Sequence, residues 1–113
     1  MQSSRLPIVL VVDDEPMSLH AMRRILEEDF TVLTAENVLD AENVLTEIPV
    51  QVVVSDQRMP DMTGTAFLTK VRKQWPDVIR IIISAYTDPS DLIKAINEAG
   101  IYNFIPKLGS LSI

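Results

Sequence analysis

The sequence predicts a doubly wound α/β fold, with five parallel strands alternating with four helices in a single domain. Three observations carry that reading. Short β-branched runs recur along the 113 residues; each ends in an acid, a hydroxyl or a proline-bearing turn; and the stretches between them place apolar residues at helical spacing. Short strand-to-helix joints leave little chain for anything except βαβ units.

Residues 8–12 are apolar throughout and run into Asp13, Asp14, Glu15 and Pro16, which reads as a buried strand with acids at its carboxyl end. Pro16 suits the first turn of a helix, and Leu19, Met22, Ile25 and Leu26 give that helix its apolar stripe. His20, the only histidine, reads as a residue of the helix surface. A second strand is expected over 30–34 and a second helix over 37–48, with Val38, Ala41, Leu45 and Ile48 inward and Pro49 as its stop. AENVLD at 35–40 is followed by AENVLT at 41–46, but six residues is not a helical period, so the copies face different ways.

A third strand over 50–55 delivers Asp56, and a loop through Pro60 leads to Gly64 and a third helix, with Phe67, Leu68, Val71 and Trp75 inward. The most apolar strand, 78–83, ends at Ser84. Asp88 and Pro89 then open a fourth helix, expected to turn Leu92, Ile93, Ile96 and Ala99 inward and to end at Gly100 in a left-handed conformation. Residues 101–105 make a fifth strand that ends at Pro106 and Lys107. The remaining stretch, 108–113, is too short and too rich in glycine and serine for a helix, so the closing helix of the fold is expected to be missing.

Composition narrows the function. The net charge of −6 disfavours direct binding to nucleic acid or to an anionic membrane. With no cysteine, disulfides and thiolate chemistry are excluded. No apolar run approaches a membrane span and the polar start lacks the core of a signal peptide, so the expected setting is soluble and cytoplasmic.

Residues that end different strands of a parallel sheet meet along one edge. Asp13, Asp14, Asp56, Ser84 and Lys107 all hold such positions. Gathered carboxylates repel unless a divalent cation takes up their charge, and Mg2+ suits hard oxygen donors. A carboxylate can also attack phosphorus, and Asp56, backed by a buried strand, is the candidate acceptor. Lys107 and the Ser84 hydroxyl would share the charge of the transferring group.

VVDDEP at 11–16, SDQRMPDMTG at 55–64, ISA at 83–85 and FIPK at 104–107 resemble the signature of response-regulator receiver domains of two-component signalling. The resemblance runs over residues 6–107, which would be the core of one receiver domain spanning 1–113, with 108–113 as a tail in place of the last helix. It implies a flavodoxin-like sheet of strand order 2-1-3-4-5. By the same resemblance Asp56 accepts a phosphoryl group from a partner histidine kinase or phosphotransfer protein. Asp13, Asp14 and Asp56, with the backbone carbonyl of Arg58, hold Mg2+; Lys107 contacts the phosphoryl; Ser84 and Phe104 are the switch pair; and Arg58 and Tyr86 flank the site.

The switch would control an output domain or effector protein, and self-phosphorylation and self-dephosphorylation at Asp56 would be the only catalysis. Two departures from the family stand out: Pro106 precedes Lys107 where the family has proline after its lysine, and the last helix is lacking. Its loss should bare apolar surface on the first and third strands, a face that neighbouring chains, as in a homodimer, or an exchanged segment would cover. Two other readings are a degenerate receiver acting as a phosphorylation-independent interaction module, and an aspartate-nucleophile phosphohydrolase. The latter expects an acid two residues beyond its nucleophile, where this chain has Arg58.

Overall fold

The computed structural model describes residues 5–84 and 89–106. Five strands, β1 (Ile8–Val12), β2 (Thr31–Ala35), β3 (Val52–Asp56), β4 (Ile79–Ser84) and β5 (Asn103–Pro106), alternate with α1 (Pro16–Leu26), α2 (Val38–Glu47), α3 (Gly64–Gln74) and α4 (Pro89–Ala99). All neighbouring strands pair in parallel, in the order β2-β1-β3-β4-β5. That is the doubly wound order expected from the sequence. Chain direction therefore brings every strand's carboxyl end to one edge.

The elements start where backbone donors find other partners first. Phe30 N–H bonds the Leu26 carbonyl at 2.9 Å, which keeps Phe30 with α1 and starts β2 one residue later than expected. Val50 N–H turns back to the Ile48 carbonyl (2.8 Å) and Val78 N–H to that of Trp75 (3.1 Å), so β3 and β4 begin beyond the start of their apolar runs. At the other end, pairing of Asp56 with Ile83 and of Ser84 with Pro106 makes them the last residues of their strands rather than the first of their loops. Tyr102 N–H is held by the Arg80 carbonyl at 2.7 Å, and β5 starts at Asn103.

One face of the sheet buries Leu10, Val12, Val53 and Ile82 beneath Ala41 and Leu45 of α2, Phe67, Leu68 and Val71 of α3, and Ala99 of α4. Phe67 is fully buried, and cutting it to alanine would cost about 3–5 kcal/mol in lost transfer energy and cavity. The other face buries Val9, Val11, Val32, Val54 and Ile83 with Leu19 of α1, and Met22 and Leu26 complete that contact. Ile25, expected in the same stripe, is 61% exposed. At about 100° per residue it lies on the far flank of the stripe from Leu19.

Two further expectations about apolar faces are corrected. Ile93 and Ile96 do not turn inward; they are 60% and 51% exposed, because α4 packs chiefly on α3 rather than flat on the strands. The first and third strands are not bared either, since Val9, Val11 and Val54 are buried. The more exposed apolar residues of that face are Ile79 and Ile105, beyond the reach of α1, which lies over β1 and β2.

Helix starts follow local chemistry. Asn37 Oδ1 accepts the Asp40 N–H at 2.8 Å at the head of α2, and Thr63 Oγ1 accepts the Ala66 N–H at 3.1 Å at the head of α3. Pro16 opens α1 and Pro89 opens α4, as the sequence predicts, while Asp88 lies outside the described residues. Gly100 closes α4 with φ of 62°, the left-handed value that glycine adopts without a Cβ penalty.

The end of α4 is gripped by two arginines. Arg80 Nε donates to the carbonyls of Ala99 (2.8 Å) and Gly100 (3.3 Å), and its Nη1 to those of Val78 (2.9 Å) and Pro76 (3.2 Å). Arg72 Nη1 donates to the Asn97 and Glu98 carbonyls, both at 3.4 Å. Burial, and then the neighbouring Arg72 charge, hold the Arg80 pKa below its ordinary value.

Candidate functional site

β1 ends by feeding Asp13 and Asp14 onto the carboxyl edge. Asp13 N–H still bonds the Ala35 carbonyl of the β2 end (3.1 Å), so Asp13 is held in line with the sheet. Its Oδ1 accepts the Glu15 N–H at 3.0 Å, turning the chain into α1. Asp56 completes β3, paired with Ile83 of β4. Asp13 and Asp56 are 3% and 5% exposed, whereas Asp14 is open to solvent. One carboxylate oxygen from each of the three lies within 4.8 Å of the others.

Like charges so close favour a cation among them, and the donor set decides which kind. Three carboxylates with neither cysteine nor histidine fit a hard ion such as Mg2+ better than a thiolate- or imidazole-seeking metal. His20 is exposed on α1 and is no member of the cluster. Beside the acids an open depression of about 550 Å³ is lined by Asp14, Gln57, Arg58, Met59, Pro60 and Thr63. A bound ion would thus face solvent on one side, with room for a small anionic group.

The joint from β3 to α3 is tightly made. The Ser55 hydroxyl donates to the Asp56 carbonyl at 2.9 Å, and Gly64 N–H donates to the Gln57 carbonyl at 2.9 Å. A Cβ at Gly64 would overlap the backbone carbonyl of Asp56, so glycine is required for close approach and not for an unusual φ. The start of α3 is thereby pressed against the strand end that carries the central acid.

Of the residues singled out from sequence, Asp13, Asp14 and Asp56 come together, and Arg58 follows Asp56 on the rim of the depression. Ser84, 3% exposed, ends the neighbouring strand one position past the partner of Asp56. Phe104 lies on β5 opposite Ile82, but its side chain lies outside the described residues, as do Lys107 and Tyr86. The sequence reading did not single out Gln57 and Thr65, whose side chains meet at this joint. A glutamine directly after the acid and a threonine directly after the loop glycine were the available signals.

Residues 9–111 match the family described as the response regulator receiver domain. Over 105 residues, 93% of the chain, 50% are identical to the hydrogenase transcriptional regulatory protein HoxA of Cupriavidus necator, of which the match covers 22%. The chain thus spans about a fifth of that relative's length. Among solved structures it is similar to the signal receiver domain of an HD domain-containing protein from Pseudomonas fluorescens, with a TM-score of 0.86, 29% identity, and coverage of 95% of this chain and 92% of that one. It is also similar to a response regulator receiver domain protein from Clostridium thermocellum, with a TM-score of 0.83, 31% identity, and coverage of 90% and 82%. Among the described residues no helix is long and apolar enough to cross a membrane. With a family match over nearly its whole length and three acids gathered at one sheet edge, this chain belongs to the response regulator receiver domains.

Proposed function

We propose that this domain accepts a phosphoryl group on Asp56 from a phosphohistidine of a partner kinase or phosphotransfer protein, and that the modified domain alters an output module. The observation that carries this reading is the meeting of three carboxylates within 4.8 Å at the sheet edge, two of them buried. Asp13, Asp14 and Asp56, with the Arg58 carbonyl, are the residues that would hold Mg2+. When bound, the ion offsets carboxylate repulsion and the charge on the transferring oxygens.

The protein's own share is to present Asp56 as a nucleophile. Its carboxylate oxygen forms a bond to phosphorus as the phosphorus–nitrogen bond breaks, and the imidazole leaves with the electron pair. Burial at the end of β3 fixes the direction of attack, and the open depression admits the donor. Lys107 and the Ser84 hydroxyl would contact the transferred group. The added phosphoryl brings about two negative charges to this edge, which favours Ser84 drawing toward it with Phe104 following. With half of the aligned residues identical to a transcriptional regulatory protein, control of transcription is the output we propose.

The test is incubation with acetyl phosphate and Mg2+, followed by intact mass and peptide mapping. One added phosphoryl on the peptide bearing Asp56, absent from Asp56→Asn and from metal-depleted samples, is the expected result. An unmodified wild-type chain would overturn the reading.

A further inference from the structure

Gln57 makes more bonds than a residue placed between an acceptor acid and a surface loop requires. Its N–H donates to the Ile83 carbonyl of β4 at 3.2 Å, and its carbonyl accepts the Gly64 N–H at 2.9 Å. Its side-chain Oε1 accepts two more donors at 2.9 Å each, the Thr65 N–H and the Thr65 hydroxyl. One residue therefore joins the ends of β3 and β4 to the head of α3.

A helix begins with several backbone N–H groups that have no intrahelical partner. In α3, Gln57 takes those of Gly64 and Thr65 and the Thr63 hydroxyl takes that of Ala66, while Phe67 makes the first helical bond, to the Thr63 carbonyl. Gln57 accordingly closes the loop at both of its ends. Residues 58–63 start from Gln57 and return to it through Gly64 and Thr65. Thr65 is buried, so these bonds have little competition from water.

We propose that Gln57 is a positioning residue for the cation site: the Gln57–Thr65 latch holds the loop that carries the Arg58 carbonyl in its binding arrangement beside Asp56, before any ion arrives. This rests on the receiver reading given above. Asp56 and Arg58 flank Gln57 in the chain, so the Gln57 bonds anchor the stretch of main chain from which the Asp56 side chain and the Arg58 carbonyl project. Without the latch the loop must be ordered when the ion binds, and that ordering subtracts from the binding free energy.

A plain helix-capping role would affect folding stability alone. The proposal requires a shift in cation affinity that persists in the folded protein. Removing a group that orients a metal ligand typically weakens binding by about tenfold or more. Raising Mg2+ should then restore phosphoryl uptake, because the Gln57 side-chain oxygen is engaged by Thr65 and not by the acids.

The experiment is calorimetric titration of the 113-residue chain with MgCl2 alone, paired with the Mg2+ dependence of acetyl phosphate uptake. It compares wild type, Gln57→Met, Thr65→Val and Thr65→Ser. Gln57→Met should bind Mg2+ about tenfold more weakly, with an unchanged final extent of phosphorylation at saturating Mg2+. Thr65→Val, which loses one of the two donors, should fall between, and Thr65→Ser, which keeps both, should match wild type. Wild-type affinity in Gln57→Met, whatever its folding stability, overturns the proposal. If Gln57→Met does not fold, the threonine pair decides: equal affinities in Thr65→Val and Thr65→Ser overturn it, and weaker binding in Thr65→Val alone upholds it. A wild-type chain that neither binds Mg2+ nor takes up phosphoryl overturns the receiver reading itself, and this proposal with it.

Discussion

The two ends of the sheet each gather like charges, and each treats them differently. At the amino end Arg72 and Arg80 lie beside the last turn of α4, and their guanidiniums are directed at main-chain carbonyls. Those carbonyls carry the negative end of the helix dipole, so the fold itself supplies the opposite charge. At the carboxyl end Asp13, Asp14 and Asp56 face one another across less than 4.8 Å, beside an open depression. The lesson is a division of labour: the guanidiniums are directed at carbonyls of the fold, while the carboxylates are gathered beside an opening to solvent.

That contrast can be broken from either side. The largest effect is expected at the arginine end. Arg80→Met removes hydrogen bonds to four carbonyls and should destabilise the domain by about 2–3 kcal/mol in urea denaturation, since charged donors contribute more than neutral ones. Arg72→Met should cost less than about 1 kcal/mol, because its bonds are long and exposed. Between them falls Gly64→Ala at the acid end, expected at about 1–3 kcal/mol from forcing a Cβ onto the Asp56 carbonyl. This variant sharpens the comparison, because its loss comes from backbone packing and not from charge. It should be the one destabilising change of the three that also weakens Mg2+ binding.

The sequence carried the strands and the strand-end placement of the acids well, for a physical reason. Strands buried on both faces read as continuous apolar runs, and Asp13, Asp14, Asp56 and Ser84 interrupt those runs where the sheet meets its edge. Helix heads were readable where they depend on one residue, as at Pro16 and Pro89, and so was the left-handed Gly100. Outward and inward helix faces were less so. Ile93 and Ile96 have the spacing of a buried stripe, yet what covers them depends on how α4 leans on α3, which no local pattern encodes.

Bonds between a side chain and a distant backbone were not readable at all. Arg80 reaching Ala99, and Gln57 reaching Thr65, follow from where the folded chain brings two segments; Arg80 interrupts the apolar run of 78–83, but nothing local says what it reaches. The roles proposed for Asp56 and its neighbours rest on motif resemblance together with strand-end position. The Gln57–Thr65 bonds beside those acids become visible only in the folded chain.

The most direct test of the division between the two ends is one Mg2+ titration by calorimetry across four proteins: wild type, Asp13→Asn, Asp56→Asn and Arg80→Met. Both acid variants should lose Mg2+ binding while unfolding no more easily than wild type without metal, since a like charge has been removed. Arg80→Met should bind Mg2+ as wild type does in spite of its lower stability. Undiminished binding in the acid variants, or an equal loss of binding in Arg80→Met, would contradict the account.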